Sequence, residues 1–180
     1  MPMQRVSVVG NSGSGKTRLA GELARLLDAP HTELDGLFHL AGWESLAPED
    51  FLVSVHNIVM GDRWVVDGNY RAVVVDGPVW KYADTVIWLD LSRPLVMAQI
   101  IRRSLGRVIL RKKLWNGNRE SMRGLFSWNP EKSVIRWSWT QHAEYQHRYE
   151  EAMTSVEYEH LRFIRLKSRR EVRALASALQ

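Results

Sequence analysis

Residues 9–19 read VGNSGSGKTRL, a stretch with almost no side chain until a lysine and a threonine arrive together. Within it, Gly10-Asn-Ser-Gly-Ser-Gly-Lys16-Thr17 satisfies G-x-x-x-x-G-K-[ST] at every fixed position. The flanks agree with the motif. Val6-Ser-Val-Val9 is a short apolar run of strand type, and Leu19, Leu23, Leu26 and Leu27 recur at helical spacing. With strand, loop and helix in that order, Gly10, Gly13 and Gly15 allow a backbone path that a Cβ obstructs. The N–H groups from Gly10 through Asn11, Ser12, Gly13, Ser14 and Gly15 then converge on phosphate oxygens at the positive end of the helix. The loop suits a polyphosphate such as ATP. Lys16 places a point charge at the β- and γ-phosphates, and the Thr17 hydroxyl is a ligand for the Mg²⁺ that bridges them. A dinucleotide fingerprint is excluded, because Arg18 stands where G-x-G-x-x-G needs its third glycine.

Working outward, His31–Asp35 reads as a second short strand and Pro48 opens a helix carrying Phe51, Leu52, Val55, Ile58 and Val59 on one face. Trp64-Val-Val-Asp67 is a third strand stopped by Gly68, Thr85–Leu91 a fourth, and Arg162–Leu166 a fifth. Helices are expected after Ser92-Arg-Pro94, over Ser133–Met153 and over residues 169–179, with an inserted loop or short-helix region at 106–132. Apolar strands alternating with helices imply right-handed crossovers and a five-stranded parallel sheet with helices on both faces, hence an α/β fold in one domain over residues 1–180. Ligands of such sheets bind at the carboxyl ends of the strands.

Composition narrows the function. The chain has no cysteine, which removes disulfides, thiolate catalysis and cysteine metal sites. Its 45% hydrophobic residues contain no run long enough to span a membrane, and no basic and apolar leader pattern opens the sequence, so a cytoplasmic protein is expected. The net charge of +5 is concentrated: from Arg102 to Arg136 ten basic residues face two acids. Arg103 and Arg107 share a helical face, and Arg111, Arg119 and Arg123 add planar guanidiniums suited to phosphate. The competing readings are a nucleic-acid surface and a solvated face.

Several residues at strand ends are candidates with two readings each. Asp67 either holds Mg²⁺ through water or is a turn aspartate before glycine, and Arg71 either reaches a transferring phosphoryl group or lies on the surface. Asp35 is either a general base or hydrogen-bond acceptor for an acceptor hydroxyl, or a loop cap. Trp43 either stacks on a flat acceptor or fills the core, the commoner fate of tryptophan. Asp90 is either a second metal carboxylate or a helix cap. His142 and His147 are not spaced as a metal pair and are expected at the surface. The tryptophans at 115, 128, 137 and 139 either pack a movable lid or stack on bases, with packing the favoured reading.

The runs GNSGSGKT, ELDGLFHLAGW, WVVDGNYR, DTVIWLDLSRP and LWNGNRES, spread over roughly residues 5–166, resemble the P-loop kinases of the adenylate kinase-like group, and most closely the topology modulation (FlaR-like) proteins. The resemblance implies the P-loop NTPase fold, with an arginine-rich lid at 106–132. DGNYR is similar to the Asp-Gly-Phe-Pro-Arg motif of adenylate kinases, without its proline and with the arginine one place further, which implies Asp67 as the Mg²⁺-water ligand. RSLGR, residues 103–107, is similar to the arginine pair leading into their lid, which implies Arg103 near adenine and Arg107 on phosphate. The expected activity is Mg·ATP-dependent phosphoryl transfer to a small acceptor, a nucleotide or related metabolite, with a phosphorylated acceptor favoured by the basic segment and a hydroxyl acceptor kept open by Asp35. Lys16, Asp35, Arg71, Arg107 and Arg119 are the candidate catalytic residues. The alternative is an ATP-binding regulatory or nucleic-acid-binding protein.

Overall fold

The computed structural model describes residues 3–110, 113–118 and 133–179. In chain order these form β1 (Arg5–Gly10), α1 (Lys16–Leu27), β2 (His31–Glu33), α2 (Leu34–Phe38), α3 (Pro48–Val59), β3 (Trp64–Asp67), α4 (Arg71–Val74), α5 (Pro78–Tyr82), β4 (Thr85–Leu89), α6 (Arg93–Ile109), α7 (Val134–Thr154), β5 (Arg162–Leu166) and α8 (Arg169–Ala178). Short 3₁₀ turns occupy Ala41–Trp43, Trp115–Gly117 and Val156–Tyr158.

The five strands make one parallel sheet in the order β2-β3-β1-β4-β5. Side-chain alternation sorts each strand's residues between two cores. Val6 and Val8 of β1, with Val65, Ile87 and Leu89, pack under Leu19, Ala20 and Leu23 of α1 and against Val172 and Leu175 of α8. Val9, Trp64, Val66, Val86 and Trp88 face the other way, onto Phe51 and Val55 of α3, Trp80 of α5 and Tyr145 and Tyr149 of α7. Burying the indole of Trp80 requires a partner for its N–H, and Ser7 Oγ accepts it at 3.1 Å. Truncation of a side chain this size in a packed core costs about 3–5 kcal/mol.

Helix ends follow local chemistry. Pro48 sits in the first turn of α3, where its missing N–H costs nothing. Ser168 caps α8 by accepting from the Glu171 N–H, while the Glu171 carboxylate reaches back to the Lys167 N–H. The bond from the Lys167 N–H, and the one from the Ser168 hydroxyl, hold the Glu171 carboxyl below its usual value.

The structure departs from expectation in several places, and the fourth strand stops at Leu89 rather than Leu91. β2 ends at Glu33, since Leu34 is fully buried against Gly68 and the chain turns there into α2, so Asp35 is helical. α6 continues through Gly106 to Ile109, which moves the start of the insert beyond residue 106. His142 is buried, its Nε2 3.0 Å from the Leu91 carbonyl, rather than at the surface. Trp43 is 43% exposed rather than in the core. Among the described residues no helix is long and apolar enough to cross a membrane.

Candidate active site

The loop between β1 and α1 is shaped by what a side chain would strike. Gly10 has φ 138°, and a Cβ there would lie 2.6 Å from the Leu89 carbonyl oxygen. Gly13 has φ 80°, and a Cβ there would lie 2.9 Å from Ile100 Cβ on α6. Turn closure comes from the Ser14 N–H to the Asn11 carbonyl at 3.1 Å, and Lys16 Nζ donates to the same oxygen at 3.1 Å. Asn11 anchors the loop outward: its amide donates to the Ser138 carbonyl of α7 at 2.8 Å, and the Ser138 hydroxyl donates to the Ser12 carbonyl at 3.2 Å. Ser14 Oγ is buried and has no hydrogen-bond partner among the described residues.

Burial pushes the Lys16 ammonium below its usual value; the charges of Asp67 and then Asp35 oppose that, and Arg103 adds to it. Lys16 thus lies in the field of two carboxylates from different elements. Asp67, at the end of β3 and opposite Val8 of β1, accepts from Thr17 Oγ1 at 3.2 Å and pairs with His31 Nε2 at 2.8 Å. A hydroxyl and a carboxylate in contact at a phosphate loop are oxygen ligands of the kind Mg²⁺ takes. Among the described residues no group of three or more histidines, aspartates and glutamates stands ready to hold a metal. Mg²⁺ commonly takes one or two protein ligands and fills its shell with water and phosphate.

Asp35 accepts the Tyr70 hydroxyl at 2.7 Å. Burial, then the Asp35 charge, pushes the Tyr70 phenol above its usual range, so it is a permanent donor. Asn69 clamps Gly10, accepting its N–H at 3.1 Å and donating to its carbonyl at 2.7 Å, while the Tyr149 hydroxyl donates to the same Asn69 oxygen at 3.1 Å. Arg71 is directed elsewhere: its Nε lies 2.8 Å from Asp76, and the side chain is 65% exposed. Asp90 is bound by Arg165 at 2.6 Å and by the Gln146 amide at 2.9 Å, a structural arrangement joining β5 and α7 to the end of β4.

On the α6 side of the loop a cleft of about 990 Å³ is lined by Gly13–Gly15, by Arg103 and Arg107, and by Arg18, Arg102, Arg169 and Arg173. Arg119 lies outside the described residues, as do Arg111, Arg123, Trp128 and most of the proposed lid. Residues 113–118 are described, and they dock on α2 and the turn after it. Trp115 Nε1 donates to Glu33 at 2.7 Å, the Asn116 amide to the His39 carbonyl at 2.6 Å and the Asn118 amide to the Leu40 carbonyl at 2.7 Å. Trp137 and Trp139 are 42% and 53% exposed, the latter beneath Arg93 with 4.9 Å from guanidinium to ring.

Sequence reasoning missed Asn69, His31, Tyr70, Ser138 and the α8 arginines. Only Asn69 carried a local signal, an amide directly after a strand-ending Asp-Gly.

No family model matches the sequence, and no curated protein matches it. Solved structures do resemble it. A shikimate kinase from Bacteroides thetaiotaomicron superposes with TM-score 0.58 at 14% identity, covering 99% of this chain and 97% of that one. A shikimate kinase from Acinetobacter baumannii in complex with shikimate gives 0.55 at 15%, covering 98% and 90%. A gluconokinase from Sinorhizobium meliloti 1021 gives 0.52 at 15%, covering 98% and 93%. At such identities the likeness speaks for the fold, and together with the parallel sheet and the glycine-rich loop it shows that the chain has the α/β P-loop NTPase fold of these kinases.

Proposed function

We propose that the protein is a phosphotransferase that moves the γ-phosphoryl group of Mg·ATP to a small acceptor, and that it stands in the adenylate kinase-like group near the topology modulation proteins, on the shared runs quoted above. The observation that carries the reading is the Thr17 hydroxyl on Asp67 at 3.2 Å beside the glycine-rich loop, with the charges of Asp67 and then Asp35 both acting on Lys16. A purely nucleotide-holding loop needs the first of these carboxylates and has no use for the second.

The loop N–H groups and Lys16 bind and orient the triphosphate, and the buried Ser14 hydroxyl gains the partner it lacks. Mg²⁺, when bound with the nucleotide, supplies charge that neutralises the phosphate oxygens, and Thr17 with Asp67 are the residues that would hold it. Arg103 and Arg107 line the cleft suited to the nucleotide, and Arg119 is assigned to the transferring group from the insert. Arg71 joins them only if its pair with Asp76 opens. Such enzymes act by positioning and by neutralising charge. Asp35, oriented by Tyr70, is placed to take a proton. The reading requires a compartment supplied with ATP, which the cytoplasm is.

Transfer of labelled γ-phosphate from Mg·ATP to a panel of small acceptors, with Lys16→Ala as the control, tests the proposal. Transfer that vanishes in the variant supports it. ATP binding without transfer to any acceptor contradicts it, and favours the nucleotide-dependent switch.

A further inference from the structure

Charge around the phosphate loop is sorted by side. Toward α6 and α8, Arg18, Arg102, Arg103, Arg107, Arg169 and Arg173 line one cleft, and Glu22 is the acid among its lining residues. At the ends of β2 and β3 the acidic side chains among the described residues are Glu33, Asp35 and Asp67, the last in register with Glu33. Their described partners are Trp115 for Glu33, Tyr70 for Asp35, and Thr17 with His31 for Asp67. Arg71, the arginine that follows this strand end, points away to Asp76.

The same region is walled by rings. Trp115 stacks on His39 with centroids 6.2 Å apart and planes at 27°, and it lies so close over Gly36 that a Cβ there would be 2.9 Å from its ring. Phe38 packs on Tyr70 at 4.9 Å, and Trp43 meets His39 edge-on at 5.5 Å. Carboxylates accept hydroxyl protons, and ring faces cover the C–H surface of a cyclic compound. A second phosphate would bring a dianion against carboxylates while Lys16 is already committed to the donor.

Resting on the phosphotransferase reading, we infer that the acceptor is an uncharged polyhydroxy compound rather than a phosphorylated one, the described arginines of the cleft serving the nucleotide. An acceptor hydroxyl oxygen forms a bond to the γ-phosphorus and the bond from that phosphorus to the β,γ-bridging oxygen breaks. ADP leaves with the bond's electrons, and the hydroxyl proton passes to Asp35 Oδ2. Oδ1 is occupied by Tyr70, whose own proton is held by burial and by Asp35. The products are a phosphate monoester and ADP, and Asp35 returns the proton to solvent.

The test uses matched pairs with the full chain: nucleosides against their 5′-monophosphates, and aldoses and cyclitols against their phosphates, with kcat and KM measured for the wild type, Lys16→Ala and Asp35→Asn. The expected result is transfer to an uncharged member at kcat/KM at least tenfold above its phosphorylated partner. Asp35→Asn should lower its kcat by roughly 10²–10⁴-fold with KM within a few-fold. Transfer confined to phosphorylated members, comparable transfer to both classes, or an undiminished kcat in Asp35→Asn overturns the inference and leaves the phosphotransferase reading standing. A wild type that binds Mg·ATP and transfers to neither class overturns both, as does one that fails to bind it. The wild-type ratio decides the acceptor class even if Asp35→Asn does not fold.

Discussion

On one flank of the phosphate loop, arginines from three helices line an open cleft; on the other, carboxylates and aromatic rings are tied down by hydrogen bonds between residues 35 to 82 positions apart. The first flank is assembled from side chains projecting from regular helices, so losing one removes a positive charge from the cleft. The second depends on turns and short helices that are held by those bonds and by the burial of Leu34 and packing of Phe38 rather than by their own helix length. Substitutions on the arginine flank should therefore act on nucleotide affinity. Those on the carboxylate flank should act on turnover, and often on folding as well.

The largest expected effect belongs to the ground between the flanks. Chelation of Mg²⁺ should reduce transfer to the background rate and added Mg²⁺ should restore it, as read by labelled phosphate; persistence in excess chelator would remove Thr17 and Asp67 from metal binding. Lys16→Ala should lower kcat/KM by about 10²–10³-fold, the scale on which one preorganised donor to developing charge acts. On the arginine flank, Arg103→Ala should raise the ATP KM about tenfold or more with kcat little changed, since a charge-assisted bond contributes about 1.5–3 kcal/mol. Asn69→Ala, on the other flank, strands the Gly10 N–H and carbonyl, and urea unfolding should show a loss of about 1–3 kcal/mol. An unchanged midpoint would show that the clamp is replaceable. The smallest effect is Arg71→Ala, which should shift stability by no more than about 0.5 kcal/mol because its pair with Asp76 is exposed.

How far the sequence foretold each flank follows the same division. β1, the loop and α1 were legible because motif, strand run and helical leucines are contiguous, and Asp67 because a short strand visibly ends there. Arg103 and Arg107 were legible as a pair on one helical face, and the structure puts both on the cleft. Arg169 and Arg173 reach that cleft from the far end of the chain, a convergence no local pattern announces. Asp35 was expected at the end of a strand but lies in the first turn of α2, because burial of Leu34, which turns the chain there, is a tertiary event. α4 and α5 have four and five residues, too few to show a period. His142 passed for a surface residue because its partner, the Leu91 carbonyl, lies 51 positions away.

The central claim is that nucleotide and acceptor approach Lys16 from opposite flanks. Equilibrium binding of Mg·ATP to the wild type, Arg103→Ala and Asp35→Asn tests it without knowledge of the acceptor. The account predicts that Arg103→Ala weakens Mg·ATP about tenfold or more, and that Asp35→Asn leaves it unchanged or slightly tighter, because a negative charge near the γ-phosphate is gone. Loss of affinity in Asp35→Asn equal to that in Arg103→Ala would contradict it, placing the nucleotide across both flanks.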